Sequence, residues 1–109
     1  MAYDEALAQN LREALDGHPG ISEKKMFGGL CFLLRGNMLC GVHKDGGMAR
    51  VGKANEAQAL EIEGVSPLSF TGRPMGGMVD IDADLIADAS RRGAVLDLCF
   101  DFVGGLPPK

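Results

Sequence analysis

Five side chains carry the reactive chemistry most open to this sequence: the thiols of Cys31, Cys40 and Cys99, and the imidazoles of His18 and His43. Thiolates bind soft metals or exchange disulfides, and an imidazole moves protons near neutral pH. The spacing supports neither use. Cys31 and Cys40 flank Gly36-Asn37, and if those two residues make a type II′ turn the cysteines become diagonal neighbours on adjacent strands. Diagonal side chains are too far apart for an unstrained disulfide. No cysteine cluster and no His-Glu-X-X-His run supplies a zinc set. His18 precedes Pro19 in a turn and His43 ends an apolar run, with no visible partner to orient either as a general base. The expectation is three reduced, buried thiols, with no catalytic residue, no metal and no other cofactor.

Recognition of a phosphate or carboxylate is the second chemistry on offer. Lys24 and Lys25 stand directly before Met26-Phe27-Gly28-Gly29, where paired glycines would let a backbone approach a ligand closely. The stretch lacks the Gly-Lys-Ser or Gly-Lys-Thr ending of a P-loop. An exposed strand edge that bends at the two glycines explains it more economically. Arg50, Lys53 and Arg73 make a better discontinuous patch, since their segments can meet across a sheet and Arg73 is held by the following Pro74. Each also suits an ordinary surface ion pair. Asp80, Asp82, Asp84 and Asp88 resemble a cation cluster less than strand-end and helix-cap residues, because no EF-hand spacing is present. Met26, Met38, Met48, Met75 and Met78 fit core filling around strands and turns.

These side chains need a scaffold, and the apolar pattern supplies one. Tyr3, Leu7, Leu11, Ala14 and Leu15 recur at helical spacing before Gly17-His18-Pro19-Gly20 ends the helix. Residues 22–27 read as a short strand. Residues 31–42 read as a hairpin in which Leu34 faces Leu39, Leu33 faces Cys40 and Cys31 faces Val42. Met48–Gly52 makes a third strand and Ala54–Leu60 a short helix. Pro67–Phe70 and Met78–Ile81 make two more strands around Gly72-Arg73-Pro74, with Gly76-Gly77 a bulge or corner. Asp82 caps one long final helix, and residues 104–109 form an extended tail.

The hairpin register predicts one face of Cys31, Leu33, Cys40 and Val42 and another of Leu30, Phe32, Leu34 and Leu39, both apolar. Helices on one side of the sheet cover one face. The other, that of Leu30, Phe32, Leu34 and Leu39, is then expected to meet a second subunit or a protein partner.

The totals agree with a single domain spanning 1–109. A chain of 109 residues with 46% apolar content can bury one core and has little room for two. The formal net charge of −4, with cations scattered among acids, argues against a duplex-binding monomer while leaving a local basic patch open. No apolar run reaches the roughly 20 residues that a membrane helix needs, and the first residues lack the pattern of a secretory signal. An odd number of cysteines in apolar surroundings predicts a cytoplasmic protein.

Met26-Phe27-Gly28-Gly29, the hairpin after it, Met48-Ala49-Arg50-Val51-Gly52, Phe70-Thr71-Gly72-Arg73-Pro74-Met75 and the late helix together resemble the TfoX/Sxy N-terminal-domain family over essentially the whole chain. That resemblance implies a compact α+β domain of two layers, an antiparallel sheet of about five strands with helices packed mainly on one face, and a relation to regulators of bacterial competence for DNA uptake. The expected function is a noncatalytic regulatory or protein-interaction domain, self-associating as a homodimer through a sheet face. A nucleic-acid-associated module is the alternative, and a small enzyme or ligand-binding protein is the third class.

Overall fold

The first helix follows from a cap and a stripe. The Asp4 carboxylate accepts hydrogen bonds from the amides of Ala6 and Leu7, starting α1 (Glu5–Leu15). Leu7, Ala8, Leu11 and Leu15 form its buried side. The computed structural model describes residues 3–26, 29–44, 46–70 and 73–108, and the side chains of these apart from 26, 69, 70 and 73–75. Gly28 and Gly72, both expected at turns, lie outside the described residues.

After α1 come β1 (Ile21–Met26), β2 (Gly29–Leu34), β3 (Asn37–His43) and β4 (Gly46–Arg50). A 3₁₀ turn, Lys53–Asn55, then leads into α2 (Glu56–Leu60). The chain continues through β5 (Val65–Phe70), β6 (Arg73–Asp82), α3 (Ala83–Ala87) and α4 (Ala89–Val103). Among the described residues the sheet has six strands, one more than expected, in the order β1-β2-β3-β4-β6-β5, with every pairing antiparallel. Four strands meander, and the chain then crosses through α2 to the far edge before β6 returns beside β4. This α+β architecture packs the helices with one side of the sheet in a main core that includes Leu11, Phe32, Val42, Ile81, Ile86 and Val95.

The β2–β3 hairpin differs from its expected form. Its turn residues are Arg35 and Gly36, with φ of 49° and 87°, which is type I′, and Asn37 already belongs to β3 opposite Leu34. Phe32 pairs with Cys40 and Leu33 with Met38, so Leu39 is an extra residue in the ladder. This bulge turns Leu39 and Cys40 toward the same core. The face assignment changes with it. Leu30, Phe32, Leu34 and Leu39, expected to be free for a partner, are buried in the helix-covered core together with Cys40 and Val42. Cys31 belongs to the opposite side, where it forms a smaller cluster with Met48 and Leu68, flanked by Met38 and Met78.

The long final helix is two helices. Asp82 caps α3 through the Leu85 amide at 2.8 Å. Asp88 has extended backbone (φ −94°, ψ 112°) and caps α4 through Ser90. Two arginines of α4 supply donors near the end of α3: Arg92 Nη1 lies 2.6 Å from the Ile86 carbonyl oxygen and Arg91 Nη2 lies 3.4 Å from that of Asp84. Residues 104–106 are likewise not extended, because the amides of Gly104, Gly105 and Leu106 bond back to carbonyls in the last turn of α4. Among the described residues no helix is long and apolar enough to cross a membrane.

Candidate functional site

Where β4 ends, the backbone is fastened to a kink in β6. The amides of Val51 and Gly52 both donate to the Gly77 carbonyl, at 2.9 and 3.0 Å, and the Gly77 amide donates to Glu56 Oε1 at 2.7 Å. Gly52 has φ 86° and ψ 152°, a conformation open almost only to glycine. Its missing side chain is also occupied space: a Cβ there would stand 2.5 Å from Cδ1 and 2.6 Å from Cγ of Phe102. Phe102, on α4, therefore packs directly onto the backbone at the start of the 3₁₀ turn.

Two cations converge on this junction. The Arg50 guanidinium carbon lies 5.4 Å from the centroid of the Phe102 ring, within cation–π range. The Lys53 side chain lies across Gly76, where a Cβ would meet Cε at 2.8 Å. Arg50, Lys53 and Phe102, with Ala54 and the backbone of Gly52, Gly76 and Gly77, line a cavity of about 350 Å³. Two carboxylates carry hydrogen bonds from neutral amides nearby: Glu56 from the Gly77 backbone, and Asp101 from Asn55 Nδ2 at 3.0 Å. Among the described residues neither Arg50 nor Lys53 forms an ion pair with a carboxylate. The arrangement can attract an anionic group and place an apolar body against Phe102.

The other candidates fall in different places. Arg73 and Pro74 begin β6, opposite Phe70 and Ser69, and their side chains lie outside the described residues. Lys24 and Lys25 are exposed on β1, the edge strand at the opposite end of the sheet order from β5 and separated from β4 by β2 and β3. They pair with Cys31 and Leu30, which lie on opposite faces, so the two ammonium groups do not act from one side. Gly29 opens β2 opposite Met26. Phe102 carries no signal in the apolar pattern, because it falls beside the buried stripe of α4. An aromatic residue off the buried stripe of a helix was the available signal.

The groups suited to catalysis are arranged differently. His43 Nε2 lies 2.9 Å from Asp80 Oδ1, and the β5–β6 register sets Ser66 opposite Asp80. His18 stacks on Phe100, with ring centroids 4.5 Å apart. All three thiols are free and buried. Burial raises the Cys31 thiol and holds Cys40 well above its ordinary range, with the neighbouring Cys99 and Cys31 adding to the effect at Cys40. Burial pushes Cys99 up to about 12. Thiols held in this state are poor nucleophiles at neutral pH. Asp82 and Asp88 serve the two caps described above, and Asp88 also accepts from Arg91 Nε at 2.6 Å.

Comparison with curated proteins and with solved structures gave no match. Residues 13–103 match the TfoX N-terminal domain, so by most of its length the chain belongs to that family, which is linked to competence regulation.

Proposed function

We propose that this domain acts by binding, as a noncatalytic regulatory module that meets a protein partner through an acidic group seated on Arg50 and Lys53. The observation that carries this reading is the convergence of two cations, without carboxylate partners among the described residues, on one cavity beside an aromatic wall. The formal charge of −4 argues against a long nucleic-acid track, which needs an extended positive field, and leaves a local contact with one acidic group as the reading the two cations support. A nucleic-acid role is the second reading, favoured by the sharing of one site between Arg50 and Lys53 and by the entry of Arg73 on the same strand that carries Gly76 and Gly77.

Fluorescence polarisation separates the two readings. A labelled Glu-rich peptide and a single-stranded oligonucleotide are titrated at low salt against wild type and the Arg50→Gln/Lys53→Gln double variant. Saturable peptide binding that weakens at least about tenfold in the double variant is expected, since each hydrogen bond to a charged group contributes about 1.5–3 kcal/mol. Oligonucleotide binding with a steep salt dependence and no peptide binding would replace the first reading by the second. Retained peptide affinity in the double variant would remove this site from either.

Self-association through a sheet face has less support than the sequence suggested. Leu30, Phe32, Leu34 and Leu39 are buried within one chain, and the opposite cluster of Cys31, Met48 and Leu68 is buried as well. Among the described residues Leu60 is the one large apolar side chain classed as exposed. A cytoplasmic location is supported by three buried thiols with no disulfide among them.

A further inference from the structure

We infer that the cavity between Arg50, Lys53 and Phe102 is a site for a small organic anion, one with a phosphate or carboxylate head on a flat aromatic body. The inference rests on the binding reading above and adds a ligand class to it. A cavity of about 350 Å³ is far larger than a bare anion needs and falls in the range of small-molecule sites. Its walls divide by chemistry. Arg50 and Lys53 supply positive charge, while Phe102, Ala54 and the glycine backbone supply surface without side-chain polar groups.

Both the guanidinium and the phenyl ring are planar and stack well on other flat groups. Arg50 is already held over the Phe102 ring, so less of its rotamer freedom remains to be lost when a ligand arrives. Lys53 is a movable wall: its long stem crosses Gly76, and it can swing without disturbing the backbone bonds of Val51 and Gly52 to Gly77. The site thus offers positive charge beside a planar aromatic ring.

The test is an amide chemical-shift titration of the full chain with four probes: phenyl phosphate, benzoate, inorganic phosphate and phenol. Phenyl phosphate or benzoate is expected to move the amides of Gly52, Lys53, Ala54 and Gly77 saturably, and the better of the two identifies the head group. Inorganic phosphate and phenol are expected to bind at least tenfold more weakly, because each reaches only one part of the site. Phe102→Leu should reduce affinity for the aryl anion and leave that for inorganic phosphate unchanged. Ala54→Phe, placed on an exposed residue of the lining, should block the aryl anion even if Phe102→Leu disturbs folding.

Equal affinity for inorganic phosphate and the aryl anion would overturn the inference, as would shifts confined to residues away from the junction or no shifts at all. A Glu-rich peptide that binds through Arg50 and Lys53 while the aryl anions do not would leave the broader binding reading standing. Aryl-anion binding without peptide binding would give the reverse result.

Discussion

Gly52 joins three constraints at one residue: a backbone conformation almost exclusive to glycine, an amide bonded to Gly77, and a phenyl ring against the vacant Cβ position. Gly52→Ala should therefore destabilise the domain by about 1–3 kcal/mol from backbone strain alone, with a further loss as Phe102 is displaced. Urea denaturation should show a lowered midpoint with little change in slope. Gly76→Ala is the matched comparison, because its new Cβ would meet only the flexible end of Lys53. Its midpoint should stay close to wild type. A fall of equal size in both variants would mean that the contact of Gly52 with Phe102 does not govern the junction. The cations at this site were legible from sequence because charge needs little structural context to be noticed. Phe102 was not, since its value depends on a glycine fifty positions earlier in the chain.

At the scale of elements, the strands and helices followed from periodicity, and the departures came from contacts between distant segments. Gly36-Asn37 locally suits a type II′ turn, yet Asn37 is buried and its Nδ2 donates to the Pro107 carbonyl at 2.8 Å. Arg35 is held by its amide on the Gly20 carbonyl at 2.8 Å and by Nη2 on the Gly104 carbonyl at 2.9 Å. These bonds offset the left-handed backbone of Arg35 and move the turn one residue earlier, and the bulge at Leu39 then restores apolar burial. A hairpin judged from its own residues contains none of that information. The break at Asp88 was similarly obscured, because the apolar stripe continues on both sides of it. Asp82 and Asp88 mark two separate helix starts, and the first is the cleaner to test. Asp82→Ala removes the acceptor of the Leu85 amide and should cost about 0.5–2 kcal/mol. Asp82→Asn should recover most of this, whereas equal losses in both variants would point to the carboxylate charge in place of the cap.

Across the whole molecule, one ion pair ties the first helix to the edge of the sheet. Glu23 on β1 accepts from Arg12 Nε at 2.7 Å and from Nη2 at 2.9 Å, a two-bond contact between segments that the turn at residues 16–20 otherwise joins. The hydrogen bond from Arg12 is the largest cause holding the Glu23 carboxyl below its ordinary 4.5, and the attraction of the Arg12 charge acts in the same direction. A depressed folded-state value means that the unfolded chain binds the proton more readily. The stabilising contribution is therefore fully present above the ordinary glutamate range and is lost as pH falls through the lower folded-state value. Both side chains are more than a third exposed, so solvent screening keeps the effect modest. Stability of wild type should decline on acidification below about pH 4.5, with Asp88 adding to the decline because Arg91 lowers its carboxyl too. Glu23→Gln should be less stable near neutrality, decline less steeply, and converge with wild type once the glutamate is protonated. Asp88 remains in both proteins, so the difference between their denaturation midpoints across pH isolates Glu23. Parallel curves would show that the contact between α1 and β1 does not depend on the Glu23 charge, and the depressed carboxyl would then have no measurable link to folding.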